Sequence, residues 1–176
     1  MIRAALRLAV IGGAVGWLID RWLADRRAGA PPKPVRSLVV IDAPIERVWA
    51  VLADIEGQPR WMHDLKSVTI ESPGPIGVGT RASGRVRILG VTVKDPVEIT
   101  EFEPPSRFAL AHEGLFTGSG LMTLEPGADG TTTIVRWEEV LVAPALPDLA
   151  DLVFRPILAD VFQRDLDRLR VLVEAR

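Results

Sequence analysis

Proton-transfer chemistry in this chain falls to few residues, and two of them stand in phase with apolar strand neighbours. His112 continues the register of Phe108 and Leu110, and Glu139 continues that of Val135 and Trp137. Alternation sends residues i, i+2 and i+4 of a strand to one face, so both side chains are expected to point inward. Met inside an apolar interior, an imidazole and a carboxylate raised by burial could do acid–base work. The competing placement leaves His112 half-solvated at a strand end and Glu139 at a rim, with no catalytic part for either. His63 and Asp64 are neighbours on a short helical stretch. Adjacent helical residues do not face each other, so solvated positions are expected for both.

Other chemistries are excluded by what is missing. The 176 residues hold no cysteine and two histidines, which removes disulfides, thiolate zinc sites, a cysteine nucleophile and any His-rich metal site. Glu138 and Glu139 alternate across a strand and cannot form a metal pair. No Ser-His-Asp set, phosphate loop or EF-hand pattern is present, so neither a metal nor a cofactor is implied. Net charge is −2 and like charges form no block, which gives no footing for nucleic acid. Apolar residues make up 48% of the chain, enough for a continuous core. No feature fixes an oligomeric state.

The elements that must position these residues follow from periodicity. Ser37–Asp42 reads as a strand, with Asp42 a candidate cap and Pro44 the first turn of a helix running through Val48, Trp49, Val51, Leu52 and Ile55. Gly57 ends that helix, and Pro59 opens a second one that turns Trp61, Met62 and Leu65 inward. The period then becomes two. A strand begins at Val68, and Thr80–Leu89 alternates Arg81, Ser83, Arg85 and Arg87 on a solvent face with Ala82, Gly84, Val86 and Ile88 on an inner one. Val91–Phe102 carries Pro96, expected at an edge or bulge. Phe108–Glu113, Phe116–Leu124 and Thr131–Val142 complete the strands, the last two joined by a Gly127–Gly130 loop. Asp148–Ala175 is a long helix with an apolar stripe at Leu149, Val153, Ile157, Leu158, Val161, Phe162, Leu166, Leu169 and Val173. A sheet with one apolar face and one long amphipathic helix are satisfied together when the sheet curls around the helix.

Ile41-Asp-Ala-Pro44, Val48-Trp49, Leu52-Ala-Asp54, Pro59-Arg-Trp61, Gly77-Val-Gly-Thr-Arg81, Thr131–Trp137 and the terminal helix, taken in order, resemble the SRPBCC or START-like superfamily in its polyketide cyclase/dehydrase branch. The likeness spans residues 36–176. It implies an α+β helix-grip fold: a curved antiparallel sheet of about seven strands around a C-terminal helix, two short helices after the first strand, and an added N-terminal apolar helix. It further implies an apolar cavity used by members for lipids, polyketides, quinones or hormones, with cyclisation or dehydration in a few. Wall positions expected in such a cavity are Trp61, Val86, Ile88, Val97, Ile99, Phe108, Leu110, His112, Trp137, Glu139, Ile157 and Val161. Trp61 and Trp137 are expected to be more open than the core residue Trp49. Fold alone does not set function.

Residues 1–27 stand apart from the domain at 37–176, joined by a Pro-rich linker at 28–36. Leu8–Ile19 is uncharged, but twelve helical residues cover only about 18 Å of a roughly 30 Å hydrocarbon core. With Arg3 and Arg7 snorkelling and Trp17 and Trp22 at the interface, Ile2–Leu23 reaches about 33 Å, Asp20 being the weak point. A spanning anchor, an interfacial or packed helix, and a signal peptide cut after Ala28-Gly29-Ala30 are the three readings, the last opposed by the charges between Asp20 and Arg27. Arg21, Arg26, Arg27, Lys33 and Arg36 after the apolar run favour a cytoplasmic domain. Small residues at Ala5, Ala9, Gly12, Gly13 and Gly16 would allow close helix approach. The expectation is a membrane-associated protein that binds a hydrophobic small molecule. A cyclase or dehydratase using His112 and Glu139, and an interaction module presenting Arg81, Arg85 and Arg87, are the alternatives.

Overall fold

A computed structural model describes residues 2–88 and 90–175, with side chains described from Gly12 onward; the expectations placed on Ala5, Ala9, Arg3, Arg7 and Leu89 lie outside what is described. The chain forms α1 (Ile2–Arg27), β1 (Val35–Ile41), α2 (Ile45–Leu52), a 3-10 turn (Ile55–Arg60), β2 (Leu65–Ile70), β3 (Arg81–Ile88), β4 (Val91–Glu103), β5 (Arg107–Glu113), β6 (Thr117–Pro126), β7 (Thr133–Val142) and α3 (Pro147–Glu174). All strands are antiparallel, in the order β1-β7-β6-β5-β4-β3-β2. The helix-grip architecture is therefore present, with β1 starting at Val35 inside the stretch read as linker. The strict alternation of β1 and of β7 up to Val140 puts Val39, Ile41, Val135 and Trp137 into one core with Val48, Leu52, Phe108, Leu166, Leu169 and Val173.

Several local expectations are corrected. Pro44 is the cap residue of α2 and makes no side-chain capping bond, while the Asp42 amide donates to the Glu174 carboxylate at 2.9 Å. Gly57 and Pro59 both lie inside the 3-10 turn instead of ending one helix and opening another. Asp54 caps that turn by accepting from the Gly57 amide at 3.1 Å, which competes with helix continuation past Leu52. Leu65 begins a strand, not a helical face. Pro96 sits in an interior strand opposite Ser83, and the irregularity comes later, between Ile99 and Glu101. Arg81, Arg85 and Arg87 are exposed as expected, but Ser83 is buried and bonded to Glu71.

The stripe of α3 divides in two. Leu166, Leu169 and Val173 are buried in the core, whereas Val153 and Ile157 are half-exposed. The C-terminal half of α3 packs the interior, and its N-terminal half roofs an opening.

No helix among the described residues is long and apolar enough to cross a membrane. Within α1, Asp20 is turned toward the rest of the domain. Pro147 opens α3 and Leu146, in the left-handed region, gives it no side-chain cap. The Asp20 carboxylate of α1 takes that place, accepting from the Asp148 and Leu149 amides at 2.8 and 2.9 Å, and Arg27 bridges to Asp148 at 2.8 Å. An aspartate engaged with first-turn amides satisfies orphan donors and the positive helix end together. Replacing Asp20 by Ala is expected to cost about 1 kcal/mol, lowering the melting temperature by roughly 2–4 °C. Asp20→Asn, which keeps an acceptor, should retain most of the stability; equal melting temperatures for wild type and Asp20→Ala would contradict the capping role.

Candidate functional site

Between the concave face of the sheet and the roof of α3 lies a cavity of about 330 Å³. Its wall holds Val86, Ile88, Val97, Ile99, Phe108, Leu110, His112, Trp137, Glu139, Ile157 and Val161, all expected from strand and helix phase. Trp61 is the exception. It is 0% exposed, stands behind Trp137 in an edge-to-face contact at 6.1 Å, and has no place in the cavity wall. The 3-10 turn delivers it into the closed core, so the expectation of an open Trp61 is corrected. Trp137 is also buried, but it meets the cavity and packs on Phe162 at 4.6 Å. Those two rings close one end of the space without filling it.

The polar part of the wall is one connected network. His112 on β5 donates from Nε2 to Glu139 Oε1 on β7 at 2.7 Å, and from Nδ1 to Asp95 Oδ2 on β4 at 2.8 Å. The indole of Trp137 donates to the other Glu139 oxygen at 2.7 Å. The Glu139 side chain is 5% exposed and that of His112 14%. Burial alone would depress the imidazole pKa, but the hydrogen bonds and negative charges of Asp95 and Glu139 outweigh it and raise the value to about 9. At neutral pH both ring nitrogens therefore carry protons and both are spent on carboxylates.

This meeting takes place over β6, which lies between β5 and β7. His112 faces Gly118 and Leu110 faces Gly120; Gly120 in turn faces Glu139. A β-carbon at Gly120 would lie 2.5 Å from Glu139 Oε2, and one at Gly118 (φ 145°) would run into the Val140 carbonyl. Gly120 thus makes room for the Glu139 carboxylate where it touches His112, while Gly118 lets β6 pass close to the β7 backbone. Asp95 was missed from sequence although it shares the phase of Val93 and Val97; its neighbour Pro96 drew the reading toward a broken edge. Asp165 was missed as well. Buried on α3 beside the cavity, its pKa is raised by burial, and it accepts from the His63 amide at 3.0 Å while pairing with Arg168. His63 thus touches Asp165 through its backbone.

Residues 34–174 match the family described as polyketide cyclase / dehydrase and lipid transport. The chain belongs to this family. Relatives among curated proteins include uncharacterised proteins of Mycobacterium bovis and Mycobacterium tuberculosis, each 32% identical over 152 residues that cover 82% of this chain and 87% of theirs. A structure from Thermus thermophilus is 23% identical with a TM-score of 0.65, covering 81% of this chain and 97% of that one. An aromatase/cyclase from a Streptomyces species is 18% identical with a TM-score of 0.59, covering 81% and 96%. A START superfamily protein from Mycobacterium smegmatis is 17% identical, also with a TM-score of 0.59, covering 82% and 96%. These likenesses establish the START-like fold.

The raised His112 value has a consequence for stability. Its folded pKa of about 9 lies above the ordinary 6.5. Its contribution is therefore complete below about pH 6.5 and is shed as pH rises toward 9. The melting temperature of the wild type is expected to fall across that window for this reason. Gly120→Ala, which displaces the Glu139 carboxylate, should flatten the fall and bring the imidazole titration, followed by NMR, down from about 9. An unchanged titration in Gly120→Ala would contradict the account of the network.

Proposed function

We propose that this protein takes up an apolar small molecule into the cavity between sheet and C-terminal helix, and that it does so while lying on an anionic lipid surface through α1. The cavity carries the reading. Its volume falls within the roughly 300–1,000 Å³ typical of small-molecule sites, and apolar side chains with one compact polar group make up such sites. Leu115, Phe154 and Ile157 belong to its wall and yet are exposed, so the entrance itself is apolar.

The lipid-surface part rests on α1. Gly16, Asp20 and Arg27 meet the start of α3, while Val15, Leu18, Ile19 and Trp22, spaced as one helical face, are exposed. Arg26 stacks over Trp22 at 3.8 Å and Arg21 over Trp17 at 6.0 Å. Aromatic rings paired with basic heads suit the headgroup layer. Residues 1–36 carry seven basic side chains against two acidic ones, and the remaining residues fourteen against twenty-one. This segregation favours an anionic surface for α1 in particular. Because α1 adjoins the first turn of α3, the apolar entrance sits beside the face that would meet lipid.

An acid–base reaction is the second reading, favoured by the contact of His112 with Glu139 inside the cavity. In that reading Glu139 is the proton acceptor, because His112 has no free ring nitrogen at neutral pH.

The test is native mass spectrometry of the full chain purified from its own host, alongside flotation with phosphatidylglycerol and phosphatidylcholine vesicles. A defined co-purifying lipophile, lost in Leu110→Trp, and flotation only with the anionic vesicles are expected. Apo protein that takes up no apolar dye, or flotation indifferent to lipid charge, would overturn the corresponding half of the reading.

A further inference from the structure

The hydrogen-bonding inventory of the cavity wall says which end group a guest can bring inside. Three N–H donors stand in the network, two on His112 and one on Trp137, and each is already given to Asp95 or Glu139. What the network has left is acceptor capacity. A carboxylate offers about four lone-pair sites, and the recorded bonds take two on Glu139 and one on Asp95. The wall also includes Asp64, Asp151 and Asp165, and its cationic side chains besides His112 are Arg87, which is exposed, and Lys94, which is paired with Glu71 at 3.0 Å. A guest carboxylate or phosphate placed beside Glu139 would find no donor and would face like charge. A hydroxyl placed there would donate to a carboxylate oxygen, a charge-assisted bond of the stronger kind, while the rest of the guest lies against Leu110, Val97 and Phe108.

Resting on the cavity reading above, we infer that the guest is an uncharged apolar molecule with a hydroxyl at its buried end, which donates to the Asp95–Glu139 carboxylates, and that the cavity selects against fatty-acid anions. Recognition by donor matching discriminates strongly, because a buried acceptor pair presented with another acceptor is left unpaired and repelled. Gly120 enters again here, since it leaves the room in which His112 and Trp137 hold the Glu139 carboxylate at the wall.

The inference is tested by competition of 1-dodecanol and dodecanoate for Nile red bound to the full chain at pH 7, in wild type, Glu139→Gln and Asp95→Asn. Dodecanol is expected to compete at least tenfold better than dodecanoate in the wild type, with the ratio falling toward one in both variants as an amide donor replaces a carboxylate oxygen. Circular dichroism and melting curves identify a variant that has lost its fold, in which case the other variant decides. Equal competition by the two chains, preference for dodecanoate, or a ratio unchanged in a folded variant would overturn the inference while leaving the cavity reading intact. Failure of Nile red and both chains to bind at all would overturn the cavity reading and this inference with it.

Discussion

A buried imidazolium needs two carboxylates, and those carboxylates need a clear path to it. In this protein the path runs over Gly120 of β6, and Gly118 and Gly120 leave one end of that strand's inner face bare ahead of Met122 and Leu124. With a side chain at 120, the Glu139 carboxylate would be displaced from His112 and from the Trp137 indole, and a buried carboxylate left without its partners costs several kcal/mol. The network thus ties β4, β5 and β7 together across the middle of the sheet. It also leaves space above Gly118 and Gly120, where no side chain rises from β6 to fill it.

The same economy explains the two halves of α3. Its C-terminal half is pressed into the core by Leu166, Leu169 and Val173, and it anchors the sheet at one end. Its N-terminal half has no core beneath it; it spans the cavity, and its first turn is held by Asp20 from α1. One aspartate therefore joins the N-terminal helix to the roof of the cavity, which makes the orientation of α1 and the position of the entrance a single geometric fact. The N-terminal helix and the roof of the cavity are neighbours for that reason.

The architecture was legible because its signals are periodic and redundant: alternation in β3, β5 and β7, the stripe of α3, and turn residues between strands. The wall positions followed from the same phase, and the contact of His112 with Glu139 from shared registers. What was not legible depended on contacts between distant segments. The spacing of Trp61 reads equally well as an inner helical face or a core ring, and only the 3-10 turn capped by Asp54 decides between them. Asp20 reads as a flaw in a spanning helix until the uncapped start of α3 is placed beside it. Asp95 had the right phase, but the proline that follows it argued for an edge that the sheet does not have there.

The central claim is that the interior between sheet and roof is space and not packing. Xenon occupies dry apolar cavities and finds no place in a close-packed core. Crystals of the full chain pressurised with xenon are expected to show the gas beside Leu110, Phe108 and Val161, under the roof of α3. A pressurised crystal with no xenon there, and with Trp137, Phe162 and their neighbours in mutual contact throughout that volume, would contradict the account.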